Sequence, residues 1–260
     1  MIKAYRRSQV GAGMVLGISA LIIILIWSRD SGQPVIVPII ATLLTVALGI
    51  LVAKLVGNVL SNMQNTHNLG LLHMDLDPQA FLSAYGPVPG RLKPGSSSAI
   101  IASSYLADGY WADGQFQKAV DTVNSQPVSP EISLRGLRAA NLSAYYLAME
   151  DRDRAAAAIE DLRQVIDGCR LKKPDLARNL TSSLNLYENH LKLLEGRKAD
   201  AEYLESAFAA AQYNIRRLEL ARVLAQAYRK AGDGENCQKQ LTYLRKNGGK
   251  TFFKKWADQQ

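Results

Sequence analysis

The stretch YWADGQFQKA, Tyr110–Ala119, has a glycine in the middle of residues that otherwise favour the apolar faces of helices. Glycine costs about 1 kcal/mol relative to alanine inside a helix, because its backbone loses more conformational freedom on ordering. Gly114 is therefore predicted to end one helix and to let a second helix fold back against it.

The same spacing recurs three more times along the 260-residue chain. In each set the first residue lies on the inner face of one helix. Four positions after it comes a turn residue, and nine positions after it comes a small residue that lets the return helix approach. The sets are Tyr110, Gly114 and Ala119; Tyr146, Glu150 and Ala155; Lys192, Gly196 and Ala201; and Tyr228, Gly232 and Cys237. From Ser98 onward the composition favours helices throughout, so the chain is predicted to be all-α.

This pattern resembles the tetratricopeptide repeat, a helix-turn-helix unit of about 34 residues with a tyrosine, a turn glycine and a close-packing alanine in that order. The resemblance covers residues 98–247 and implies an α-solenoid of four repeats. Glu150 in place of glycine, Lys192 in place of tyrosine and a longer spacing before the third unit depart from the family pattern.

The segments on either side of the repeats are predicted to cap them. Residues 58–97 read as a linker with one short helix, which Asp77 caps and Pro78 begins, and in which Phe81 is apolar. Residues 248–260 form a basic and aromatic tail. Two interpretations of this tail remain, a cap on the last repeat and a contact with an anionic membrane surface.

Two runs without charged residues precede the repeats, Val10–Trp27 and Val35–Ala53. Each is long enough as a helix to cross a hydrocarbon core of about 30 Å. Residues 1–57 are therefore predicted to form a two-helix transmembrane hairpin, with spans at about 10–27 and 35–55. The alternative for the first run is a secretory signal, against which its length, the lack of a small-residue cleavage site and the second run all argue.

Basic residues near the ends of the spans predict the orientation of the hairpin. Lys3, Arg6 and Arg7 precede the first span and Lys54 closes the second, whereas the intervening loop contains Arg29 alone. By the positive-inside rule, both termini are expected in the cytoplasm of a multi-pass cell-membrane protein. The repeat domain is then cytoplasmic, which agrees with a chain that has only two cysteines.

Small residues recur every four positions within the predicted spans, where they let helix backbones approach closely in lipid. Two interpretations follow, close packing within the hairpin and a homodimer seam through the second helix. The residues are Gly13 and Gly17 in the first span, and Ala41, Thr45, Gly49, Ala53 and Gly57 in the second.

The sequence contains no recognisable catalytic or cofactor motif. The three histidines have no arrangement of cysteines or carboxylates around them, and His73–Asp77 is better explained as a solvated linker than as a metal site. The net charge is +8, but the basic residues are mixed with acidic ones along the helices and are not concentrated in one stripe. This distribution disfavours nucleic acid as a partner. The prediction is a scaffold, not an enzyme, without a cofactor or a metal.

The family resemblance implies that the first helix of each repeat lines the surface where ligands lie. The fourth repeat places basic residues there and the middle repeats place apolar ones, which suits an extended peptide with an acidic end. The alternative is a solvated basic helix face. The predicted partner-binding residues are Asp108, Trp111, Leu147, Leu186, His190, Arg222, Gln226 and Arg229.

The function predicted from these features is a membrane-tethered scaffold that binds a protein or peptide at the cytoplasmic face. The alternative is an accessory subunit of a larger integral-membrane complex, in which the transmembrane hairpin is the main assembly surface.

Overall fold

The computed structural model describes residues 36–260, together with Ser19, Ile22 and Ile26. The chain divides into two compact units, residues 1–67 and residues 68–260. Every regular element in the described residues is a helix, and no strand occurs among them. The prediction of an all-α fold is therefore confirmed.

The long helix α1, Ile36–His73, contains the second predicted span. The other predicted span, with Gly13 and Gly17, falls outside the described residues apart from the three isolated helical positions. No helix in the described part of the chain is both long enough and apolar enough to cross a membrane. Along α1, Thr45 is exposed, Gly49 and Ala53 are half-buried and Gly57 is buried.

Helix α1 also extends through the first part of the predicted linker. Residues 58–73 are helical rather than irregular, and the boundary between the two units follows His67 instead of Gly57. Leu72 is buried in the core of the second unit, and the last residues of α1 therefore belong to that unit. No proline interrupts the helix before Pro78.

The second unit consists of a capping helix, four helix pairs and a C-terminal helix. The capping helix begins as predicted, with the Asp77 carboxylate accepting a hydrogen bond from the Ala80 amide at 3.0 Å. A short 3-10 turn, Pro89–Arg91, follows it. The helices are α2 Pro78–Tyr85, α3 Ser97–Asp113, α4 Phe116–Asn124, α5 Ile132–Ala148, α6 Arg152–Cys169, α7 Pro174–Leu194, α8 Ala201–Ala210, α9 Asn214–Ala231, α10 Gly234–Asn247 and α11 Phe252–Asp258.

The four turns within the pairs share one backbone geometry. Each turn residue has a positive φ: 88° at Gly114, 58° at Glu150, 78° at Gly196 and 77° at Gly232. The amide after it donates to the carbonyl of the residue that opens the set, at 2.7 to 3.0 Å. Its own amide donates to the next carbonyl along the helix. This is the Schellman motif, which satisfies carbonyls that a helix end leaves unpaired.

Polar caps begin the return helix in three of the four pairs. Asp151, Asp200 and Asp233 each accept a hydrogen bond from the amide three residues later, at 3.0 to 3.1 Å. The third turn is the longest, because α7 ends at Leu194 and α8 begins only at Ala201. The longer spacing noted before the third repeat lies elsewhere, in the long helices α6 and α7, and the helix pair is intact.

Close contacts between helices occur where the spacing predicts small residues. Ala119 and Ala155 are fully buried and Cys237 is nearly so, whereas Ala201 is half-buried. At the N-terminal end, Phe81 of α2 lies directly over Gly109 of α3, so that a Cβ at position 109 would come within 2.6 Å of its ring. Phe81 is fully buried, and α2 thus covers the first pair as predicted.

Candidate binding site on the first-helix face

The first helices of the four pairs, α3, α5, α7 and α9, contact one another in sequence. We call the surface that they form the first-helix face. The Tyr145 hydroxyl of α5 donates to the Asp108 carboxylate of α3 at 2.6 Å. The Arg216 guanidinium of α9 lies 5.8 Å from the centroid of the Tyr187 ring of α7. This face is continuous across all four pairs.

The C-terminal helix α11 lies against this face. Phe252, Phe253 and Ala257 are its buried residues, and Lys254 and Lys255 are exposed. The Phe253 ring packs edge-on against Trp111 of α3, with ring centroids 5.3 Å apart. The tail therefore packs on the repeats, as in the capping interpretation.

Helix α11 joins the first pair to the last one. The Phe252 ring centroid lies 5.8 Å from the Trp111 ring of α3 and 5.4 Å from the Arg222 guanidinium of α9. The repeated spacing predicts these two residues in the first and the fourth repeats, at opposite ends of a groove. In the structure a single phenylalanine contacts both of them.

A second set of contacts closes the unit near the chain entry. The Lys250 amide donates to the Leu76 carbonyl at 3.0 Å, and the Lys250 ammonium pairs with the Asp77 carboxylate. The Asn214 side-chain amide donates to the Met74 carbonyl at 3.0 Å. The segment before α2 therefore contacts the start of α9 and the segment before α11, and the array of pairs curls back on itself.

The structure places most of the predicted partner-binding residues in the interior. Leu147 and Leu186 are each 1% exposed and belong to the core, Trp111 is 8% exposed, and His190 and Arg222 are 5% exposed. Asp108 and Gln226 are half-buried, and Arg229 is exposed. The open groove expected from the sequence is not observed, because neighbouring first helices pack closely and α11 packs on Trp111 and Arg222. Whether these residues bind a partner stays a prediction.

Burial shifts the protonation of three residues on this face. It raises the pKa of Asp108 to about 7, an effect that the nearby Glu219 carboxylate increases and the Tyr145 hydrogen bond opposes. It lowers the pKa of His190 to about 3, with a further contribution from the positive charge of Arg222. It also lowers the pKa of Arg222 to about 10. At neutral pH, His190 is therefore uncharged and Arg222 is a buried cation.

The first-helix face contains buried polar atoms that have no hydrogen-bond partner among the described residues. They are Trp111 Nε1, Asp113 Oδ1, Asn141 Nδ2, His190 Nε2, Arg222 Nε and Gln226 Oε1. An unsatisfied buried polar atom costs about 1–3 kcal/mol, so native proteins contain few of them. Here they are spread over α3, α5, α7 and α9, the helices that form this face.

Arg222 is the cation of this group, and its environment is aromatic. Its guanidinium carbon lies 5.4 Å from the Phe252 ring centroid and 5.3 Å from that of Trp256. No Asp or Glu of the described residues forms an ion pair with it, since Glu219 pairs with Arg216 at 2.5 Å. The groups in direct contact with the charge of Arg222 are therefore ring faces, and the Glu150 and Glu219 carboxylates act on it without forming an ion pair.

Sequence reasoning missed the residues that connect the first helices. Tyr145, Tyr187 and Arg216 lie outside the repeated spacing, and no local signal marks their partners on the neighbouring helices, whereas the Arg216–Glu219 pair lies within α9 at i,i+3 spacing. The adjacent Phe252 and Phe253 in a polar tail were a usable signal, because two consecutive aromatic residues rarely stay in solvent. What they would cover was not visible in the sequence.

Comparison of the chain with models of protein families, with curated proteins and with solved structures finds no match. In the described residues, no group of three or more His, Cys, Asp or Glu side chains is placed to hold a metal ion. The molecule is an all-helical, α-solenoid-like protein. Its resemblance to the tetratricopeptide repeat remains a prediction from the repeated spacing.

Proposed function

We propose that this protein is a membrane-tethered scaffold, similar to tetratricopeptide-repeat proteins, that binds a protein or peptide partner at the cytoplasmic face of the membrane. The observation that carries the proposal is the fourfold recurrence of one helix pair with one turn geometry. Stacked pairs present a continuous face built from several repeats, which suits an extended partner. The proposed role is binding rather than catalysis.

Tethering is supported by the apolar surface of α1. Large aliphatic side chains along it are exposed, and contiguous apolar surface of this kind is typical of membrane or protein contacts. The exposed residues include Ile40, Leu43, Leu44, Leu48, Leu51 and Leu55. With the uncharged run at residues 10–27, this surface is the basis for the proposed two-span anchor.

The proposed topology is tested by single cysteines at Ser31 and Ser61. In intact cells, an impermeant thiol reagent is expected to label position 31, and to label position 61 only after permeabilisation. The native Cys169 and Cys237 are buried, so background labelling of folded protein is low. The opposite labelling order would exclude a hairpin with both termini in the cytoplasm.

The second candidate is an accessory subunit of an integral-membrane complex that assembles through α1. The same exposed aliphatic residues favour it, together with Thr45, Gly49, Ala53 and Gly57 at four-residue spacing. Small residues at this spacing are common at helix–helix contacts in lipid, including homodimers.

Site-specific photocrosslinking in native membranes separates the two candidates. One variant of the full chain carries the crosslinker at Lys230, an exposed position on α9, and the matched variant carries it at Leu44 on α1. The scaffold proposal expects a defined protein adduct from position 230. Protein adducts from position 44 alone would favour the assembly-subunit candidate and contradict the scaffold.

A further inference from the structure

The surface that α11 contacts has an apolar part and a polar part, and α11 pairs with only one of them. Phe252 and Phe253 fill the apolar part, against Trp111 and against each other. The polar part remains unmatched, since Nε of Arg222, whose guanidinium lies near the Phe252 and Trp256 rings, is buried without a hydrogen-bond partner. Helix α11 therefore satisfies the apolar half of this surface and leaves the polar half unpaired.

The unpaired atoms identify the chemistry that is missing. Two of the unpaired atoms belong to side chains that the rings of α11 contact, Trp111 Nε1 and Arg222 Nε, and both are donors. The unpaired acceptor Asp113 Oδ1 lies 3.9 Å from the Lys255 ammonium of α11. Two donors, one of them on a buried cation, suit a ligand with anionic acceptor oxygens.

Helix α11 does not supply such a group. Its acidic residue is Asp258, whose Oδ1 lies 3.7 Å from Nε of Arg245 in α10. The Asp258 carboxylate thus pairs with Arg245 and not with Arg222. Its lysines, Lys254 and Lys255, are exposed. Trp256 occupies the position over Arg222, at 5.3 Å, and presents a ring face there instead of an oxygen.

We infer that α11 is an internal occupant of the partner-binding surface, and that the partner displaces it with a segment carrying aromatic side chains and a carboxylate for Arg222. This inference rests on the proposed scaffold function and specifies its site. In the displaced state, aromatic residues of the partner replace Phe252 and Phe253, and the carboxylate takes the place of Trp256.

The test uses the full chain in lipid nanodiscs and three peptides of residues 250–260. One peptide has the native sequence, one carries Trp256→Glu and one carries Lys254→Gln. The two substituted peptides have equal net charge, but position 256 faces Arg222 whereas position 254 faces solvent. The receptor is the variant Phe252→Ser/Phe253→Ser, in which α11 loses its buried rings.

The variant receptor is expected to bind the Trp256→Glu peptide at least tenfold more tightly than the Lys254→Gln peptide. Adding Arg222→Gln to the receptor is expected to abolish that difference. Equal binding of the two peptides, or no binding of any, would overturn the inference. A variant receptor that fails to fold would also overturn it, because α11 would then be part of the repeat core.

Hydrogen exchange on the unmodified chain gives a measurement that needs no variant. The amides of α11 are expected to exchange at least tenfold faster than those of α10, since an internal occupant opens without unfolding the repeats. Equal protection of the two helices would contradict displacement.

Photocrosslinking from Lys230 distinguishes this failure from failure of the scaffold function. Partner adducts of equal yield in the native chain and in the Phe252→Ser/Phe253→Ser variant would preserve the scaffold and exclude the α11-covered surface. Absence of adducts from both chains would reject the scaffold itself.

Discussion

The four turns and the first-helix face differ in how completely their polar groups are paired. In each turn the same two backbone hydrogen bonds close the helix end, and the residues involved lie within six positions of one another. On the first-helix face, a hydrogen bond such as that from Tyr145 to Asp108 spans 37 positions, and other polar atoms remain unpaired. The turns are thus self-sufficient, whereas the face depends on what covers it.

The largest expected effect concerns residues that the sequence assigns to partner binding. Leu147→Ala and Leu186→Ala are each expected to destabilise the chain by about 2–5 kcal/mol, because they remove fully enclosed aliphatic groups and leave cavities. Thermal unfolding of the full chain in detergent, followed by circular dichroism, measures the loss. Leu171→Ala is the matched control, since this leucine is 95% exposed. Unchanged stability in both variants would contradict the burial of Leu147 and Leu186 and favour their predicted role on the surface.

The pH dependence of stability is expected to differ between the face and the turns. The folded-state pKa of Asp108, about 7, lies above its ordinary 3.8. The stabilisation from its proton is therefore complete below about pH 4 and is lost as pH rises through about 7. Asp108→Asn is expected to gain stability relative to the native chain across this window, measured by denaturant unfolding at several pH values. The His190 contribution cancels in this comparison.

Asp151, at a turn, supplies the opposite case. Its side-chain and backbone hydrogen bonds with Arg154 lower its pKa. Its stabilisation is therefore present above about pH 4 and is lost as pH falls through the lowered value. Relative to the native chain, Asp151→Asn should lose stability at neutral pH and recover it in acid. The same direction of change in both variants would refute the assigned difference.

Alanine substitutions at two turn glycines are expected to distinguish backbone strain in the turn from steric contact with α11. The quantity compared is the loss in free energy of unfolding. Gly232→Ala should cost about 1 kcal/mol from its positive φ alone, because a Cβ there meets no atom within 4 Å. Gly114→Ala should cost more, since its Cβ would lie 3.2 Å from the Cβ of Phe252. The extra loss should disappear in a Phe252→Gly background, which removes that Cβ. Equal losses in free energy of unfolding for the two variants would mean that α11 moves to accommodate the added methyl group.

The smallest expected effect is a gain at the one turn that lacks glycine. Glu150 has a φ of 58°, a conformation that costs a side-chain-bearing residue about 1 kcal/mol. Glu150→Gly is therefore expected to be about 1 kcal/mol more stable than Glu150→Ala, by chemical denaturation. Both variants remove the same charge, so their difference reports backbone conformation. A less stable glycine variant would show that entropy of the unfolded chain dominates.

Much of the fold was predictable because the relevant interactions are short-range. The offsets of four and nine located every turn, including the one at Glu150, because a Schellman turn involves only neighbouring residues. Asp77 and Pro78 likewise predicted the start of α2. The end of α1 was not predictable in this way, because nothing in the local sequence of residues 58–73 marks Leu72 as a core residue of the second unit.

In the candidate site, too, local features were predictable from the sequence and long-range contacts were not. The repeated turn spacing locates the first helices, and the helical period predicts the side of each helix on which a residue lies. Neither predicts that Trp111 and Arg222 both contact Phe252. That contact depends on the curvature of the whole array, which is the sum of packing angles between successive pairs. Each angle depends on side chains from several helices, so the contact of both ends with α11 follows from the folded molecule and not from local sequence.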